Sequence, residues 1–275
     1  MRIGILVEKR YLAQAQPGGL ISALGSAGHE TVCIDPQAAA YALEDARWTD
    51  KLDLIVARGR SQPLLCMLGW AQARGISAVN SRSAIASVHN KADMAVIMAE
   101  AGVPSPRTFL GPVAELAGII PSSLYPVVLK PVFGDNSRGL RLVRTGGEMR
   151  SIEWPEPVAL AQRFIPNDGY DLKLYCIGDE VWPVRKPSPA GLAGAPGAHG
   201  KAKAGPAPLT KELEALGRRL GRLFGLELYG VDCIESAEGP SVIEVNEFPN
   251  YTGVPDADRR LAEYVTRARA AGGRI

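Results

Sequence analysis

What the chain lacks narrows its function first. Its 275 residues hold no apolar run of about 18, so no membrane-spanning helix is expected. The opening MRIGILVEKR carries an apolar run too short for the core of a secretory signal. There is no excess of either charge: 31 basic side chains face 29 acidic ones, a formal net charge of +2. That balance offers no general argument for nucleic acid or an anionic membrane as partner. The four cysteines (Cys33, Cys66, Cys176 and Cys233) are widely spaced, with no CxxC pair. They read as free, mostly buried thiols of a protein kept in a reducing, cytoplasmic compartment. No GxGxxG follows the first apolar run, so dinucleotide binding is poorly supported.

What is present begins with alternation. RIGILVE, ETVCIDP, LDLIVARG and the short SAVN read as strands, with GGLISALGSAGH and PLLCMLGWAQARGI as helices between them. Alternating strands and helices imply a parallel sheet covered on its faces, spanning residues 1–86. Apolar residues then recur at helical spacing from Ala92 to Ala101, with Gly102 as the stop before Pro104. YPVVLKPVFGDNSRGLRLV supplies two strands, VALAQRFI a third, and LKLYCIGDEVWPVRKP two more about a tight turn at Gly178–Asp179. The Gly-, Ala- and Pro-dense stretch 188–208, with His199, Lys201 and Lys203, is a lid or a disordered segment. LTKELEALGRRLGRLFGL is an amphipathic helix capped by Thr210.

Chemistry concentrates in the hairpin LYGVDCIESAEGPSVIEVNEFPN. With Ser236–Pro240 as its loop, Asp232 falls opposite Glu244, and Asn246 shares their face. Val231, Cys233, Ile243 and Val245 point the other way. Directly opposed carboxylates repel, and a bound cation is the natural relief. Two carboxylates and an amide oxygen form a hard-oxygen set suited to magnesium. The alternative is a solvated polar face. Upstream, Lys130 ends an apolar strand and Lys91 opens a helix, each a point charge suited to phosphate. Between Gly134 and Gly139, GDNSRG could cradle phosphates with its backbone N–H groups. It is not a Walker A loop, because Leu140 and Arg141 stand where Lys and Ser/Thr belong. His89 reads as a capping or packing residue. Arg58 lies at the expected crevice of an α/β sheet, available to an acidic substrate group or simply exposed.

The order of these pieces resembles the ATP-grasp superfamily, most closely the RimK-like and LysX-like amino-acid ligases. The stretches that carry the resemblance are NKADMAVIMAEAGVPSPRT, YPVVLKPVFGDNSRGL, AQRFIPNDGYDLKLYCIGDEVWPV, GVDCIES and IEVNEFPN. It implies an α/β fold with an N-terminal parallel-sheet domain (1–86), a central lid lobe (87–160) and a C-terminal lobe (161–275), with ATP held between the two α+β lobes. Carried over by position, Lys91 and Lys130 would hold the ATP phosphates, with Asp135, Asn136 and Ser137 in the loop closing over them. Gln162, Arg163, Phe164 and Ile165 would line the adenine pocket and Asp171 would take the ribose. Asp232, Glu244 and Asn246 would hold one or two Mg²⁺ ions, with Mn²⁺ as a substitute. Lys173 and Arg185 would be the catalytic cations, Arg185 facing the oxyanion of a tetrahedral intermediate. The activity implied is a carbon–nitrogen ligase acting through an acylphosphate on a small molecule, amino acid or peptide. The amine is expected on a free amino acid, a peptide or a carrier protein, and the enzyme as a homo-oligomer. Two departures stand out. Arg163 replaces the usual acidic hinge residue. The segment EFPNYTGVPDADRR resembles that of the inositol-phosphate kinases, which leaves phosphorylation of an alcohol as the alternative.

Overall fold

The first apolar run becomes β1 (Arg2–Val7), buried at every residue after Arg2, as a strand covered on both faces must be. The computed structural model describes residues 1–45, 47–134, 139–188 and 205–270. In it α1 (Ala15–Ser26) leads to β2 (Glu30–Ile34), and β3 (Leu54–Arg58) is followed by α2 (Gln62–Ala73) and β4 (Ala78–Val79). The sheet order is β2-β1-β3-β4, with every pairing parallel. Parallel neighbours need long crossovers, which α1 and α2 provide. Arg58 ends β3, and a turn through Gly59, Arg60 and Ser61 enters α2, where Ser61 caps the first turn by accepting from the Leu64 amide.

Two helices follow, α3 (Arg82–His89) and α4 (Lys91–Glu100). Asn90 ends the first and caps the second, and Gly102 stops α4 at φ 62°. The sequence reading caught only α4. Their apolar residues Ala84, Val88, Met94 and Met98 share a core with Leu172, Leu174 and Val231 of the C-terminal lobe.

The central lobe holds β5 (Thr108–Gly111), α5 (Val113–Ile119), β6 (Val127–Lys130), β7 (Arg141–Val143), α6 (Gly146–Arg150) and β8 (Ala159–Arg163). Its antiparallel sheet runs β5-β8-β6-β7. Leu116, Val127, Leu129 and Met149 pack α5 and α6 against it. The boundary expected after residue 160 therefore falls inside β8, which belongs to this sheet.

The C-terminal lobe contains β9 (Tyr170–Ile177), β10 (Glu180–Pro187), β11 (Gly205–Pro206), α7 (Lys211–Phe224), β12 (Leu228–Ser236), β13 (Gly239–Glu247) and α8 (Ala257–Ala270). The sheet order is β11-β10-β9-β12-β13, all antiparallel. Leu172, Leu174 and Cys176 pack under α7, while Tyr175 and Ile177 face a core that includes Ile3, Val7 and Val56 of the N-terminal sheet. One face of the sheet is thus sealed by its own helix, and the other meets the N-terminal lobe.

The hairpin closes more tightly than its sequence suggests. Ser236 pairs with Gly239 and Cys233 with Val242, so Ala237 and Glu238 form the turn rather than Ser236–Pro240. A bulge at Ile243 then restores Asp232 opposite Glu244. The slip and the bulge cancel beyond that point. Between them, Val242 takes the fully buried slot expected of Ile243. The cysteines also depart from expectation: Cys176 and Cys233 are buried, but Cys33 and Cys66 are exposed. Among the described residues, no helix is long and apolar enough to cross a membrane.

Candidate active site

A cavity of about 420 Å³ opens between the lobes. Strand alternation explains who reaches it. On β9, Asp171, Lys173 and Tyr175 face the cavity while Leu172 and Leu174 face α7. On the neighbouring β12 and β13, Asp232, Glu244 and Asn246 share the cavity face. From the central lobe come Lys130 at the end of β6 and Gln162, Arg163, Phe164 and Ile165 at the end of β8. The cavity walls are partly apolar, with Val128, Leu140, Ile234 and Ile243 among the lining side chains.

Each carboxylate of the opposed pair meets a lysine. Lys173 Nζ lies 2.9 Å from Asp232, and Lys91 Nζ lies 3.3 Å from Glu244 Oε1. Lys91 also donates to the Gly134 carbonyl at the root of the glycine loop. Burial works against the Lys173 charge, but the charge and hydrogen bond of Asp232, together with Tyr175 and Glu244, outweigh it and hold the ammonium above its ordinary range. Lys130 is only 5% exposed and donates to Gln162 Oε1 at 2.8 Å. Burial pulls its pKa down to about 8, with Glu244 opposing and Lys91 assisting the fall. The Asp171 carboxyl is pushed up by burial, although Ser188 and Asn167 both donate to it.

Asn246 turns its Nδ2 to Asp232 Oδ2 at 2.7 Å, with its Oδ1 3.4 Å from Arg60. Among the described residues, no three of His, Cys, Asp and Glu come together as a metal cage. A cation here would rest on Asp232 and Glu244, while the Asn246 oxygen expected as a third ligand is turned to Arg60. Two carboxylates are an all-oxygen set with two negative charges, and fit a hard divalent ion such as Mg²⁺ better than a soft one.

Arg185 does not join the others. It stands opposite Leu172, on the α7 side of the sheet. There its guanidinium pairs with Asp168 at 2.5 Å and lies 3.9 Å from Glu235. The cavity cation of β10 is instead its neighbour Lys186, opposite Asp171, with its Nζ 4.9 Å from the Tyr175 ring. The tight turn at Gly178–Asp179 already fixes that register, and alternation from Lys173 would have picked Lys186. Asp135, Asn136 and Ser137 lie outside the described residues, as do His199, Lys201 and Lys203. His89 packs edge-on against Phe133, ring centroids 5.1 Å apart, and burial lowers its pKa.

The N-terminal lobe supplies residues that sequence reasoning underweighted or missed. Arg58 is 4% exposed, so it is no surface residue. It donates to Gln14 Oε1 at 2.6 Å and Asn250 Oδ1 at 2.9 Å, and sits over the Tyr11 and Phe248 rings. Arg60 makes a two-pronged pair with Glu247, 3.0 Å on each prong. Partners some 190 residues apart leave no local pattern to read. The unusual segment after Asn246 is explained by this junction. Phe248 and Tyr251 adopt φ of 33° and 53°, and both rings are buried in the core shared by the lobes.

The chain matches the model of the RimK-like ATP-grasp domain over residues 88–265. It is 28% identical over 210 residues to a probable alpha-L-glutamate ligase of Picosynechococcus sp., covering 72% of this chain and 69% of that one. Its fold is similar to that of a RimK domain ATP-grasp protein from Sphaerobacter thermophilus, with a TM-score of 0.74 at 21% identity, covering 96% of this chain and 99% of that one. The ATP-grasp ligase PsnB, solved with a minimal precursor, Mg and ADP, superposes with a TM-score of 0.73 at 16% identity, covering 98% of this chain and 98% of that one.

Proposed function

Because the chain belongs to the RimK-like ATP-grasp domain family, we propose that it is an ATP-dependent ligase that activates a carboxylate as an acylphosphate and joins it to an amine. The observation that carries this reading is one cavity lined by apolar side chains, by Lys130, Lys173 and Lys186, and by an opposed pair of carboxylates. The hinge residues Gln162–Ile165 would receive the adenine and Asp171 the ribose. Lys91 and Lys130 would meet the phosphates. Asp232, oriented by its bond from Asn246, and Glu244 would hold the Mg²⁺ that supplies charge to offset the transferring phosphoryl group.

In the first step a substrate carboxylate oxygen attacks the γ-phosphorus, and the bond to the β–γ bridging oxygen breaks to release ADP. In the second, an amine attacks the acyl carbon, inorganic phosphate leaves with the bonding pair, and the amine gives up a proton. Negative charge gathers on the acyl oxygen as the amine adds, and a fixed cation there lowers the barrier. Lys186 takes the part that sequence reasoning gave to Arg185, because it faces the cavity and Arg185 does not. Lys173 lies beside it, two residues along the neighbouring strand from Asp171. The lobes enclose the reacting groups, which protects an acylphosphate from water.

The substrates that fit this reading are amino acids or peptides. The glutamate ligase among the relatives and the precursor-bound PsnB support that class. They favour the ligase over phosphorylation of an alcohol. Hydroxylamine trapping tests the choice. The chain is incubated with ATP, Mg²⁺ and a panel of amino acids and short peptides. Acid-dependent hydroxamate and ADP are expected. A stable phosphorylated alcohol with no hydroxamate would overturn the ligase reading.

A further inference from the structure

The cavity carboxylates are tied to the N-terminal lobe through one arginine. Glu8 is 2% exposed and accepts from two successive main-chain amides, Arg60 at 2.5 Å and Ser61 at 2.7 Å. These bonds fix the turn from which the Arg60 side chain departs. The guanidinium of Arg60, a residue only 7% exposed, forks onto both oxygens of Glu247 and reaches Asn246 Oδ1 at 3.4 Å. The other end of the same amide donates to Asp232. Asn246 is therefore held between a donor on its oxygen and an acceptor on its nitrogen, so its orientation is set from both sides. A buried ion pair such as Arg60–Glu247 is weak evidence for stability, since desolvation offsets most of its attraction. Fixing the geometry of a neighbouring site is the better account of why it is there.

We infer that Arg60 is a positioning residue: acting through the Asn246 amide, it holds the Asp232 carboxylate in the orientation a divalent cation needs. The inference rests on the proposed metal face. Groups that orient metal ligands typically change metal affinity by about 10- to 100-fold when removed.

The test reads metal binding rather than turnover. Free Mn²⁺ is followed by electron paramagnetic resonance while it is titrated into the full chain with saturating AMP-PNP. Arg60→Lys keeps the charge but loses the planar fork, and is expected to weaken Mn²⁺ binding about tenfold. Asn246→Ala should do the same. The double variant should lose no more than either single one, because both changes break one chain of contacts. AMP-PNP affinity without metal should hold within about twofold, a readout that general destabilisation would not spare. Unchanged Mn²⁺ affinity in Arg60→Lys, or losses that multiply with Asn246→Ala, would overturn the inference. If Arg60→Lys does not fold, the neutral pair Arg60→Met with Glu247→Met is measured in its place against the same outcomes. Asp232→Asn separates the two readings. If it leaves Mn²⁺ binding intact, the metal face itself fails. If it abolishes binding while Arg60→Lys has no effect, only the role of Arg60 falls.

Discussion

Asp232 and Glu244 stand directly opposite each other on β12 and β13, and each is met by a lysine, Lys173 at 2.9 Å and Lys91 at 3.3 Å. Like charges placed this way destabilise a sheet unless a cation intervenes. Without ligand, the two ammonium groups play that part. A divalent ion must compete with them, whereas triphosphate gives the lysines another anion to meet. Metal and nucleotide should therefore bind cooperatively, and linkage makes the coupling equal in both directions. Mn²⁺ affinity is expected to rise at least about tenfold when AMP-PNP is present, a coupling of about 1.4 kcal/mol. Calorimetric titrations in both orders check it. Equal Mn²⁺ affinities with and without nucleotide would show that the lysines do not guard the carboxylates.

Lys130 gives a pH dependence with a definite sign. Burial lowers its pKa from 10.5 to about 8, so the folded protein releases this proton well before the unfolded chain does. Its charge is present below about 8 and is lost as pH rises through that value. AMP-PNP affinity should fall over the same interval if the ammonium meets phosphate. Stability responds oppositely: between about 8 and 10.5 the unfolded chain binds the extra proton, so this group makes folding more favourable as pH rises. In Lys130→Met the buried charge is gone, and both responses should flatten. Charge-assisted hydrogen bonds contribute about 1.5–3 kcal/mol, which sets an expected loss of roughly ten- to a hundredfold in kcat/KM. Titration of nucleotide affinity and melting temperature from pH 7 to about pH 10 reads both signs.

How much of this was legible follows from the range of the contacts. The parallel N-terminal sheet, the turn at Gly178–Asp179 and the caps Thr210 and Gly102 are local, and their residues announce them. The pairing of Asp232 with Glu244 came from alternation, although the turn was placed wrongly, because the Ile243 bulge offset the error. Nothing in the spacing signals a bulge. Arg185 is the cation to which the family resemblance points, and only the register of β10 with β9 shows that the cavity face belongs to its neighbour Lys186, opposite Asp171. The contacts of Arg58 with Asn250 and of Arg60 with Glu247 join distant segments in one core, beyond the reach of periodicity.

Gly59 is where that junction is tightest. Its φ is 140°, and a Cβ built there would lie 2.3 Å from Glu8 Oε1. Glu8 cannot retreat without releasing the Arg60 and Ser61 amides. Gly59→Ala combines backbone strain with loss of buried hydrogen bonds, a cost of about 1–3 kcal/mol. For a chain of this size the melting temperature should drop by several degrees, roughly 2–4 °C per kcal/mol. Differential scanning calorimetry measures it. A melting temperature equal to that of the native chain would mean that Glu8 has room to move and does not fix the turn.

The neighbouring cations Arg185 and Lys186 allow the two faces of β10 to be tested against each other. Arg185 spends its charge on Asp168 and Glu235, at an exposed site on the α7 side. Exposed pairs of this kind contribute about 0–1 kcal/mol, so Arg185→Met should leave both stability and turnover close to native. Lys186 faces the cavity beside Tyr175, across from Asp171. If it offsets charge on the acyl oxygen as the amine adds, its loss removes an interaction made mainly in the transition state. Lys186→Met should then lower kcat by about 10²–10³-fold while nucleotide affinity stays near native. The acylphosphate forms before that step, so hydroxamate formation should fall far less than amide formation. Equal losses in the two assays would place Lys186 at phosphoryl transfer instead. A large loss in Arg185→Met with little in Lys186→Met would mean that the catalytic cation acts from the α7 side after all.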